Sequence, residues 1–226
     1  MIFEPVAVVL TVITAVEVWV YYVPAIVASR AFVPMLLIMS AAKFAIERNA
    51  ITESFDLYSR AAELLPAYDP ADPATLRERR IRVGLGRAQS GFSFLRDDEQ
   101  LRLLEPLVEQ SSTLGDLRLE ADVHLAIALV RQLRGGNSPD DALLKRSLAR
   151  VDAIGKELND PLIAALSSSI VGIYEVFSGR MREGIKTLEA AQPLLAQKRD
   201  FVGSSFALVA LSFGYSRLGD FDKAEA

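Results

Sequence analysis

The chain has 226 residues, 25 basic and 29 acidic side chains, and a net charge of −4, which argues against a dedicated nucleic-acid binder. It has no cysteine and one histidine, His124. Disulfides, thiolate metal sites, cysteine nucleophiles and multi-histidine metal centres are therefore excluded, and no cofactor or metal is expected.

Charge is unevenly spread. Only Glu4, Glu17 and Arg30 precede residue 43, so residues 1–42 form an apolar N-terminal segment and residues 43–226 a second region of ordinary polarity. Val6 to Val23 is an apolar run broken only by Glu17. Eighteen helical residues rise about 27 Å, close to the thickness of a bilayer core. Trp19, Tyr21 and Tyr22 lie at one end, where an interfacial belt would put them. Residues 6–23 are thus a candidate membrane anchor, although Glu17 at mid-bilayer costs about 2–3 kcal/mol. A buried core element and a start foreign to the fold are the alternatives. A signal peptide fits less well, because no basic residue precedes the apolar run. Ala31 to Ala42 is apolar but too short to span, and Lys43 and Arg48 after it place the rest of the chain in the cytoplasm by the positive-inside rule.

From residue 43 onward the pattern predicts consecutive helices. Asp72-Pro73, Ser138-Pro139 and Asp160-Pro161 each set a capping side chain before a proline at the first helical position. Asp140 and Asp141 favour the positive end of the helix that follows. Leu101, Leu104 and Val108 share one face, as do Leu144, Leu148, Val151 and Leu158, and then Ile185, Leu188 and Leu195. This period is 3.6, not 2, and no alternating strand run appears. Pro106 and Pro193 fall inside helical patterns and are expected to kink or shorten them. Gly84-Leu85-Gly86 lies within a helical pattern, with no strand before it, and is no phosphate loop.

The endings Leu114-Gly115-Asp116, Leu158-Asn159-Asp160 and Lys198-Arg199-Asp200 recur at spacings of 44 and 40 residues. A period of this length with helices inside each unit marks a helical-hairpin solenoid. The expected fold is all-α, an α-α superhelix of about four helical hairpins plus a partial one. The final hairpin stops at Ala226, a few residues into a helix, so a C-terminally incomplete fragment is expected.

Leu208, Leu211 and Tyr215, followed by Gly219-Asp220-Phe221-Asp222-Lys223-Ala224, resemble the tetratricopeptide repeat. Tyr58, Ala61 and Pro66 match more loosely, as do Gly172, Gly179, Met181, Gly184 and Leu188, while Gly135-Gly136 marks the corresponding middle turn. The units exceed 34 residues, Glu175 replaces the usual aromatic, and Ser212 stands where glycine is common. The similarity covers most of residues 36–226. Together with the Leu-Gly-Asp and Leu-Asn-Asp endings, Tyr58-Ser59-Arg60-Ala61-Ala62-Glu63-Leu64-Leu65 looks like the helical-repeat region that follows the ATPase module of large bacterial signalling, cyclase-like and regulator-like proteins.

The resemblance implies a non-enzymatic protein–protein interaction or scaffold module, with an unidentified protein or peptide partner. A membrane-tethered adaptor is one alternative. The non-catalytic part of an ATPase- or cyclase-linked enzyme is another. The family's groove positions fall on Phe206, Val209, Phe213 and Arg217, and in the preceding unit on Ile173, Val176 and Phe177. The same residues would equally pack against a following unit. His124 lies in an apolar stretch and reads as a structural histidine. Arg77, Arg79, Arg80, Arg82 and Arg87 form either a groove for an acidic ligand or a solvated face paired with acids.

Overall fold

The computed structural model describes residues 32–48, 50–67, 72–133, 141–197 and 201–225. Residues 6–23, Gly135-Gly136, Ser138-Pro139, Asp140 and Lys198-Arg199-Asp200 lie outside them. Among the described residues there are ten α-helices and no strand: α1 Phe32–Glu47, α2 Ile51–Leu64, α3 Pro73–Ser90, α4 Asp97–Ser112, α5 Leu117–Leu133, α6 Ala142–Leu158, α7 Pro161–Phe177, α8 Met181–Gln197, α9 Phe201–Leu218 and α10 Phe221–Glu225. No described helix is long and apolar enough to cross a membrane.

The helix starts follow from capping chemistry. The Asp72 carboxylate accepts from the backbone N–H groups of Ala74 and Thr75, both at 3.1 Å, with Pro73 in the first helical position. Asp160 does the same for Leu162 at 2.9 Å, before Pro161. Asp141 caps α6, accepting from Leu143 and Leu144 at 3.0 Å, so it is the cap itself and not a first-turn acid. Left-handed residues end the helices: Gly115 before α5, Asn159 before α7, Gly179 before α8 and Gly219 before α10. At Asn159 the chain closes as a Schellman turn, with Asp160 N–H donating to the Gly155 carbonyl at 3.0 Å, and Asp220 repeats this bond to Tyr215.

The helices pack in consecutive pairs, and α1, α3, α5, α7 and α9 each also meet the next of that set. Four apolar clusters succeed one another along the chain. Met35 with Leu64 and Leu76 joins α1, α2 and α3. Ile81, Leu104 and Ile127 join α3, α4 and α5. Ala121, Ile154 and Ile163 join α5, α6 and α7. Ile173, Leu188 and Leu211 join α7, α8 and α9.

Two expectations need correction. Pro106 and Pro193 do not shorten their helices, which run on to Ser112 and Gln197. Both prolines are exposed. The buried face of α6 is Ser147, Val151, Ile154 and Gly155, with Leu144 and Leu148 half-buried and Leu158 exposed. That face packs on α5 through Val151 and Ile154 in the cluster with Ala121, and through Ser147 beside His124.

Candidate functional site

Glu120 on α5 is buried and forms a two-pronged ion pair with Arg150 on α6, at 2.8 and 2.9 Å. One turn on, buried His124 sets its Nδ1 3.3 Å from the Ser147 hydroxyl. Burial holds the His124 imidazole below its usual range, opposed by the Glu120 charge and reinforced by Arg150. His124 is therefore a neutral interface residue near pH 7. Glu120, Ser147 and Arg150 had no sequence signal, because only the fold brings residues 30 apart together.

Two of the recurring aspartates, Asp116 and Asp160, each do two jobs. Asp116 accepts from Leu119 N–H at 3.0 Å, capping α5, and faces Arg82 of α3 at 3.6 Å. Asp160 caps α7 and pairs with Arg118 of α5. Burial raises the Asp160 carboxyl, but the Leu162 N–H and Arg118 outweigh it and leave it below the usual range. Asp141 is held down in the same sense, by its backbone donors and by Arg131 at 2.6 Å.

Three of the five clustered arginines make contacts within the fold. Arg82 pairs with Glu78 at 2.7 Å, Arg77 donates to Thr113, and the Arg87 guanidinium lies over the Phe55 ring at 5.9 Å. Gly86, in mid-α3, seats the Tyr58 ring against the helix backbone. That accounts for the glycine without a phosphate.

The groove positions divide into three groups. Val176 is fully buried against Gly184 of α8, and Ile173 is buried in the same core while its edge reaches the cavity described next. Phe206 is half-buried and lines that cavity. Phe177, Val209, Phe213 and Arg217 are exposed. The Phe177 and Phe213 rings meet at 5.2 Å, Val209 is 62 % exposed, and Leu208 and Leu218 of α9 and Phe221 of α10 are also exposed. Phe221, the aromatic of the Gly219-to-Ala224 stretch, is 65 % exposed. The close approach there is made instead by the Ser212 hydroxyl, which donates to the Ala224 carbonyl at 2.8 Å.

A cavity of about 700 Å³ is lined by residues of α1, α2, α3, α4, α5, α7 and α9. Its residues run from Ile46 to Phe206, so no local motif marks it. No group of three or more His, Asp or Glu side chains among the described residues could hold a metal ion. Neither the known protein families nor the curated proteins contain a match to this chain.

Proposed function

We propose that this chain is a non-enzymatic interaction module, a tetratricopeptide-like superhelix serving as a scaffold or sensor segment of a larger bacterial signalling or regulatory protein. The observation that carries this reading is the exposed stripe of Val209, Phe213 and Arg217 on α9, joined by Phe177 across a 5.2 Å ring contact. Positions i, i+4 and i+8 share one helix face, and apolar Val209 and Phe213 followed by the charged Arg217 suit an amphipathic partner helix. Contiguous exposed apolar groups of this kind mark interaction surfaces in soluble proteins. In this reading the helices stand on the cytoplasmic side of any anchor formed by residues 6–23, with Lys43 and Arg48 as the flanking positive charges.

The test is site-specific photo-crosslinking in the source organism. A crosslinker at position 209 is expected to capture a discrete partner, and the Phe177→Asp change is expected to abolish capture. A crosslinker at Lys156, exposed on α6, is the control. Equal products from both positions, or none from position 209, would sink the proposal.

A further inference from the structure

The cavity shares no lining residue with the Val209–Phe213 stripe. We infer that it binds a fatty-acid-like molecule, an apolar body ending in one carboxylate, with that carboxylate held at Arg48. The inference goes beyond the interaction module and does not depend on it.

Three observations carry it. The first is size and wall. About 700 Å³ falls in the range of small-molecule clefts, roughly 300–1,000 Å³. Leu125 and Leu129 stand one turn apart on α5, and Leu162 and Leu166 one turn apart on α7. All four line the cavity and are only half-buried. An apolar body laid on these two rows removes their remaining surface from water.

The second is closure. Phe92, just after α3, and Phe206 of α9 both line the cavity and meet edge to face at 5.2 Å. The two rings bridge distant parts of the chain, so the space suits a compact molecule better than a peptide running across the helices.

The third is charge. Among the described residues, the charged ones lining the cavity are Arg48 and Asp122. Asp122 already has a partner within the protein. Arg48 makes no ion pair among the described residues. Its guanidinium lies over the Phe44 ring at 4.5 Å, which leaves the positive charge and the N–H fork in place. Arg48 is exposed and directly follows α1, so it stands at the edge of the cavity, where water reaches it. A guanidinium beside an apolar wall favours a ligand with an anionic end, and a carboxylate matches its planar fork with two bonds. One cation suits a singly charged head better than a phosphate monoester.

The test uses the full chain with N-phenyl-1-naphthylamine, a neutral dye that brightens in apolar sites. The dye is displaced with dodecanoate or with dodecan-1-ol, below the concentrations at which either aggregates. Dodecanoate is expected to displace it saturably and one to one, about fivefold more tightly than the alcohol, with the preference shrinking as salt is raised. Arg48→Gln, an exposed change outside the core clusters, is expected to bring the two within about twofold of each other and to leave the alcohol unchanged. Leu129→Trp, or Leu166→Trp should the first variant lose its helical spectrum, is expected to abolish dye binding by filling the space. No displacement, equal affinity for acid and alcohol, a preference that survives Arg48→Gln, or binding kept in a folded tryptophan variant would overturn the inference.

Discussion

The α5–α6 and α7–α8 pairs occupy equivalent places in the chain and both carry an apolar cluster, but they differ in what fixes the contact beside it. In the first, side chains meet through a buried ion pair and a histidine–serine contact. In the second, backbone meets backbone. A Cβ built on Gly184 would stand 2.7 Å from the Gly172 carbonyl oxygen and from the Val176 nitrogen. One built on Gly172 would stand 2.8 Å from the Leu188 side chain. A helical hairpin of this kind thus specifies its crossing either by charge matching or by the absence of side chains. The first solution responds to pH and the second does not.

The comparison can be broken most sharply at Gly184. Gly184→Ala forces a methyl group against backbone that cannot swing aside, and we expect a loss of about 3 kcal/mol in urea unfolding at unchanged slope. Leu188→Ala beside it is expected to cost about 2–4 kcal/mol through the cavity it leaves. A silent Gly184→Ala would mean the two backbones do not touch.

Arg150→Met comes next, at about 2–3 kcal/mol, because it strands the buried Glu120 carboxylate. The Arg150 side chain is 39 % exposed, which keeps the loss below that of a fully buried pair. The double change Glu120→Leu with Arg150→Met is expected to recover most of it. If the double variant is as unstable as the single one, the ion pair is not what specifies this crossing.

Smaller still is the pH response. His124 has a folded-state pKa depressed mainly by burial, so protonation favours the unfolded chain. Stability is full above the unfolded value of about 6.5 and falls as pH drops below it, by less than about 1.4 kcal/mol per pH unit. As the sole histidine, it alone accounts for a slope there, and His124→Gln is expected to flatten it. A second loss begins lower. The depressed Asp141 and Asp160 carboxyls contribute stability above their unfolded values near 3.8, and it disappears as pH falls through their folded ones. A slope near pH 6 that persists in His124→Gln would show that the α5–α6 contact is not its source.

The smallest effect is expected at the terminal turn. Gly219 has φ +81°, a conformation that costs an alanine about 1 kcal/mol, but α10 is five residues long and exposed. Gly219→Ala should speed amide exchange in α10 and leave the global midpoint in place.

Much of the fold was legible in the sequence, for physical reasons that are local. Asp72-Pro73 and Asp160-Pro161 announce helix starts because a cap and a fixed φ act over three residues. Ile185, Leu188 and Leu195 announce a buried face because the α8 contacts are apolar. The α6 face was misread because its contact includes Ser147 and sits beside Arg150, so counting leucines pointed to Leu144, Leu148 and Leu158 instead. The cavity was illegible for a different reason. It assembles Gln100 with residues of six other helices, and only the packing brings them together. The stripe on α9 was legible as far as its spacing, while burial of Val176 and exposure of Phe177, adjacent in sequence, needed the packing to tell them apart.

The double use of Asp116 and Asp160 bears on how such a chain can grow. The stretch from Asp116 to Asn159 opens with an aspartate that receives Arg82 from the helix pair before it, and carries Arg118, which reaches the aspartate opening the next. Its opening turn both receives an arginine from the helix pair before it and supplies one to the next. Copied in tandem, the stretch would bring the Arg118 of one copy to the opening aspartate of the next, so the joint between copies is already written into each. The natural module for duplication or exchange therefore runs from aspartate to aspartate, with its boundaries at the caps rather than at the midpoints of the loops.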